Sequence, residues 1–198
     1  GIDGVTIFGA QTVLGSLPKP YQKTTDRLNV PRIDYTGGGC PSILIEPQRT
    51  NLNTNSDDFA SWAANVNTII TSNTSTSPSG FLDADLLSLE VDASSTRHRL
   101  YNVIGYTAGL TYTFFLFVKK AEQDWIQLIL QASAFSVDAW ANFNVANGTI
   151  GNQGGAGSPR VENYGNGWYR ISITSIATAT AATTNEIFPT NNVDGGRY

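Results

Sequence analysis

Residues 110–120, LTYTFFLFVKK, constrain the fold more than any other stretch of the chain. Side chains of a strand alternate between two faces, so Tyr112, Phe114, Leu116 and Val118 share one side. Thr111, Thr113, Phe115, Phe117 and Lys119 share the other. Aromatic and β-branched residues favour extended backbone. Both faces carry rings at the centre, which predicts an interior strand with one face in the core and the other partly covered.

Further strands are expected at residues 66–71, 85–91, 97–104, 125–131, 141–145, 160–164 and 168–176. Gly, Asn and Pro clusters separate them. Asn147-Gly148 and Asn166-Gly167 each stand between two such runs, the strongest short hairpin signal. Residues 151–159, with four glycines, read as a flexible hairpin tip. One short helical turn is expected after Ser56 or Asp57, running to Trp62. No βαβ alternation occurs, so the expected fold is all-β: an antiparallel two-sheet jelly-roll-like β-sandwich. The first forty residues hold three of the eight prolines and the run Gly37-Gly38-Gly39. They read as a strand followed by an extended strap. The expected division is 1–30, an N-terminal strand and strap standing as the end of a preceding module, and 31–198, the sandwich.

Composition narrows the function. Charged residues are 14% of the chain, against roughly 25% in an average soluble domain, so neutral polar residues must cover the surface. Twelve scattered basic residues and a net charge of -4 argue against a nucleic-acid partner, which needs clustered Lys and Arg. No apolar run reaches the roughly 18–20 residues of a membrane-spanning helix, so no membrane insertion is expected. The single Cys40 excludes an internal disulfide. Gly1 in place of Met, and no Met anywhere, are read as a piece of a longer or processed polypeptide.

Residues 32–52, RIDYTGGGCPSILIEPQRTNL, resemble the opening of modules found in bacteriophage head-fibre, head-spike and tail-associated proteins. The resemblance continues through Asp58-Phe59 and Trp62. It resumes at YTFFLFVKKAEQDWIQL and at ENYGNGWYRISIT, residues 162–174. That family resembles carbohydrate-binding modules of the jelly-roll type. The resemblance implies a non-catalytic virion structural or decorating protein on the extracellular particle. It would form a homo-oligomer, with a trimer favoured, beside other virion proteins and cell-surface glycans. The alternative is a carbohydrate-binding module of a secreted polysaccharide-degrading enzyme. One departure stands out. Such modules close with a strand containing Trp-Gly-Ala-Gln, which is missing after Ile176, whereas VTIFGAQTVLGS lies at residues 5–16. Val5, Ile7 and Phe8 are therefore candidates for strand pairing, within the chain or with a neighbouring subunit.

No catalytic centre is expected. His98, the only histidine, reads as a packing residue, and no Gly-x-Ser-x-Gly motif accompanies it. Sixteen acids always permit some pair, but none lies in a recognisable hydrolase arrangement. Glu46 beside Arg49 reads as a structural ion pair. No cofactor is expected; Asp83, Asp85, Glu90 and Asp92 are candidate contributors to a structural calcium ion, although no EF-hand-like loop is present in the sequence. Trp62, Trp125 and Trp168 fall in the resembling motifs and read as packing residues. Trp140 falls outside them and, with Tyr101 and Tyr106, is the candidate for stacking on a sugar ring.

Overall fold

The computed structural model describes residues 4–18, 21, 33–34, 42–43, 50–62, 64–90 and 98–190. Cys40, Glu46, Arg49 and Asp92 lie outside the described residues. The strands are β1 (Gly4–Leu14), β2 (Ile33–Asp34), β3 (Ser42–Ile43), β4 (Ala64–Val66), β5 (Thr68–Thr76), β6 (Leu82–Leu89) and β7 (Arg99–Tyr106). They continue with β8 (Thr111–Lys120), β9 (Trp125–Leu130), β10 (Ala139–Asn144), β11 (Thr149–Gly154), β12 (Ser158–Gly165), β13 (Trp168–Ile176) and β14 (Ala181–Thr190). A 3-10 turn spans Phe59–Ser61, and the one-turn helix α1 spans Ala132–Phe135.

Two six-stranded antiparallel sheets face each other. The first runs β12-β13-β8-β1-β6-β5 and the second β11-β10-β9-β14-β7-β4. The chain changes sheet between β4 and β5, β6 and β7, β7 and β8, β8 and β9, β11 and β12, and β13 and β14, which makes the sandwich jelly-roll-like. Strand β8 behaves as its alternation predicts. Tyr112, Phe114, Leu116 and Val118 enter the main core, while Phe115 and Phe117 join a second cluster on the outer face with Phe8, Ala84 and Trp168.

Strand β1 lies in the middle of the first sheet. Val5 and Ile7 are fully buried in the main core, and Phe8 points to the outer cluster. On one side β1 pairs with β8 from Val5 to Leu14, and on the other with β6 from Gly4 to Ile7. Beyond Ile7 the β6 edge is replaced by residues 51–56. Ala10 N–H donates to Ser56 O (2.8 Å), Leu52 N–H to Thr12 O (3.0 Å), and Thr12 N–H to Asn51 Oδ1 (3.1 Å). Asn51 and Leu52, which end the stretch 32–52, thus serve with Ser56 as a substitute strand edge. Both edges of β1 are occupied by its own chain, so Val5, Ile7 and Phe8 leave no free edge there for a second copy.

Two hairpins follow the sequence signals. Asn166 and Gly167 both have positive φ (52° and 81°), the geometry of a tight two-residue turn. Gly148 N–H closes the other turn on Asn144 O at 2.8 Å. Two expectations are corrected and one element is new. The 151–159 segment is no flexible tip, since residues 151–154 belong to β11 and pair with β10. A strand does follow Ile176: β14 lies between β9 and β7 in the second sheet, without the Trp-Gly-Ala-Gln motif. The short helix α1 was not signalled at all.

Gly155, at the turn out of β11, has φ +69°, and a Cβ there would collide with the Asp138 carbonyl and sit 3.0 Å from Ala139 Cα. Backbone cannot yield as a flexible side chain can. Gly155→Ala is expected to cost about 3 kcal/mol, read from the urea midpoint, because left-handed strain and a backbone clash add.

Candidate functional site

Parity assigns the outer face of the second sheet. Ile126, Leu128 and Leu130 of β9 and Ala139, Ala141 and Phe143 of β10 fill the main core. Their alternates, Trp125, Gln127, Ile129, Trp140, Asn142 and Asn144, therefore face outward. By the same rule Arg99 and Tyr101 of β7, and Glu186 and Phe188 of β14, face outward too.

Register lines these residues into rows across the strands. Trp140 lies opposite Ile129, Ile129 opposite Glu186, and Glu186 opposite Tyr101. Three inter-strand steps separate Trp140 from Tyr101, about 14 Å. The next row holds Asn142, Gln127 and Phe188, and the one after it Asn144, Trp125 and Thr190. Trp125 and Trp140 are thus about 13 Å apart along the strands, with the Gln127–Asn142 amide pair between them.

Glycines in β11 make room for both indoles. A side chain at Gly154 would collide with Trp140, and one at Gly151 would meet Trp125 Cζ3 at 2.6 Å. Trp125, Trp140 and Tyr101 are half-buried. The polar groups among them are not: Glu186, Gln127 and Asn142 are at most 2% exposed. Burying a charge demands compensation. Glu186 Oε1 accepts from Arg99 Nη1 (2.7 Å), Thr184 Oγ1 (2.7 Å) and Gln131 Nε2 (3.2 Å). Arg99 also stacks over the Tyr101 ring at 4.8 Å. Gln127 Nε2 donates to Asn142 Oδ1 at 2.6 Å.

Three buried atoms on this face keep unspent hydrogen-bonding capacity: Glu186 Oε2, Gln127 Oε1 and Arg99 Nε. Native proteins leave few such atoms, and each calls for an explanation. Here two acceptors and one donor come from neighbouring rows on three adjacent strands, bordered by aromatic rings. Ile129 and Phe188 on the same rows are also at most 1% exposed, so the middle of this face is closed to solvent and the half-buried rings are its reachable groups.

Of the three sugar-stacking candidates, the structure brings Trp140 and Tyr101 onto one row. Tyr106 belongs elsewhere. It is 2% exposed, packs edge-on against Tyr112 and Phe135, and donates to Asn185 Oδ1, because its even parity in β7 turns it into the core. Burial pushes its phenol well above the ordinary range. Trp125, read as a packing residue, packs on the outer face against Gly151. Its signal was its odd position in β9, opposite to the core residues.

The other candidates have structural work. His98 Nδ1 lies 2.7 Å from Asn67 O. Asp85 accepts the N–H groups of Phe59 (3.2 Å) and Asn73 (3.0 Å), and burial pushes its carboxyl up while these bonds oppose the shift. Asp83 accepts from Ser79. No group of three or more His, Cys, Asp or Glu side chains that could hold a metal ion occurs among the described residues. Trp62 is core, and Trp168 packs on the outer face of the first sheet. No family model matches the chain, and the search of curated proteins finds no match.

Proposed function

We propose that this chain is a non-catalytic virion module that binds glycans through the outer face of its second sheet. The observation that carries the reading is the set of three half-buried aromatic rings, Trp140, Trp125 and Tyr101, that register places on one sheet face. Aromatic faces take the apolar side of a pyranose ring. A single carboxylate, held in an ion pair by Arg99, serves recognition better than hydrolysis, which needs two acids about 5–9.5 Å apart. The virion setting, the homo-oligomer and the contact with other virion proteins rest on the resemblance of residues 32–52 and 162–174 to phage fibre and tail-associated modules.

The isolated chain is expected to bind bacterial surface glycans on an array. Trp140→Ala should weaken the best hit about tenfold, the loss of one ring contact and its buried area. Gly154→Val, which displaces the indole without removing it, should do the same. Failure of the unaltered chain to bind any such glycan would overturn the binding part of the proposal. Absence of the chain from purified phage particles, checked by mass spectrometry, would overturn the virion part.

A further inference from the structure

The first sheet carries a different feature on its own outer face. Strands β5 and β6 lose register after Thr71, where Asn73 takes φ 58°. Beyond that point the hairpin folds over the sheet, because Trp168 Nε1 of β13 donates to Thr76 O of β5 at 3.2 Å. Those strands stand four positions apart in the sheet, about 19 Å if it lay flat. The hairpin is therefore an arm laid across β1 and β8, over Phe8 and Phe117.

Between the arm tip and the β12–β13 hairpin lies a cleft of about 330 Å³, lined among others by Thr76, Ser77, Lys119, Tyr164, Asn166 and Trp168. That volume is at the small end of ligand sites, about 300–1,000 Å³, and fits one sugar ring. Its walls are set in advance. Tyr164 packs edge-on against Phe117 at 4.9 Å, with Arg170 over its ring at 5.1 Å, yet stays 47% exposed. Arg170 spends its charge on Glu162. Lys119 makes no ion pair among the described residues, and its Cε lies 3.4 Å from the Cβ position of Gly167. The nearby arm carboxylate, Asp83, accepts from Ser79.

We infer that this cleft binds a saccharide bearing a carboxylate, such as a terminal uronic or sialic-acid-type sugar. The carboxylate pairs with Lys119, the apolar ring face lies on Tyr164, and the hydroxyls meet Ser77, Thr76 and Asn166. A neutral sugar would leave the ammonium unpaired, and a bare anion would leave the tyrosine unused. The site lies on the opposite sheet from Trp140, so it stands or falls separately from the neutral-glycan face, although both make the chain a glycan binder.

The test is calorimetric titration of the whole chain with glucuronate, glucose and acetate. Glucuronate should bind about tenfold tighter than glucose or acetate, the value of one charge-assisted contact, and added salt should weaken it. Lys119→Met should remove that preference, Lys119→Arg should keep most of it, and Tyr164→Ala should weaken glucuronate without restoring glucose. Trp140→Ala should leave glucuronate binding unchanged. Thermal melting of each variant checks the fold. Equal binding of glucose and glucuronate, no glucuronate binding, or binding lost in Trp140→Ala but kept in Lys119→Met would each overturn the inference.

Discussion

Thr12→Val is expected to destabilise the sandwich by about 2–6 kcal/mol, with little change in shape at the mutated position. Thr12 Oγ1 accepts from Asn53 Nδ2 at 2.8 Å and from Asn185 Nδ2 at 2.7 Å, and all three residues are fully buried. Valine keeps the volume and removes the acceptor, stranding two amide donors where water cannot reach them. Each stranded donor costs about 1–3 kcal/mol. Asn185 also accepts the Tyr106 hydroxyl, so the chain of bonds runs from the entry segment through β1 to β14 and β7. Urea unfolding should show a lower midpoint with an unchanged slope. Thr12→Ser, which keeps the hydroxyl, should cost only about 1 kcal/mol. A valine variant within 1 kcal/mol of the original would remove the network from any account of this fold.

Arg99→Met is expected to cost about 2–4 kcal/mol by leaving the Glu186 carboxylate fully buried without its cation. The lower part of the usual range for a broken buried pair applies, because Arg99 is 21% exposed and Thr184 and Gln131 still donate to Glu186. Adding Glu186→Leu should restore most of the loss, since apolar residues of similar size often replace a buried pair without penalty. The double variant should then fold well. A double variant as unstable as the single one would show that Glu186 acts through packing rather than through its charge.

Which parts of this structure were legible in the sequence follows from where polar residues do interior work. Strand β8 announces itself because apolar rings occupy both its faces. Strand β14 does not, for its run AATTNEIFPT is polar on both sides. Asn185 faces inward to bond Thr12 and Tyr106, and Glu186 faces outward to hold Arg99. Hydropathy cannot distinguish a satisfied buried amide from an exposed one. Pro189 also argues against an interior strand, yet it sits past Ile187, where β14 pairs with β9 but no longer with β7. Gly151 and Gly154 read as looseness, whereas each yields its side-chain space to an indole. Residue type alone does not place these rings: Tyr106 lies in the core, whereas Trp125, Trp140 and Tyr101 lie on the outer face. Only parity within the formed strand separates a tyrosine in the core from a tryptophan on the face.

The central place of β1 also has a consequence during synthesis. Its partner β8 lies about a hundred residues further along the chain, as the pairing of Thr12 with Phe114 shows. A ribosome working at about 5–20 residues per second reaches those residues some 5–20 s after β1. For that interval an apolar strand has no β8 to lie against, and its ladder groups invite wrong partners. The fold therefore cannot be assembled in order of emergence. Its middle strand is made early and seated late, and folding yield should depend more on what shelters residues 4–14 in the meantime than on any later step.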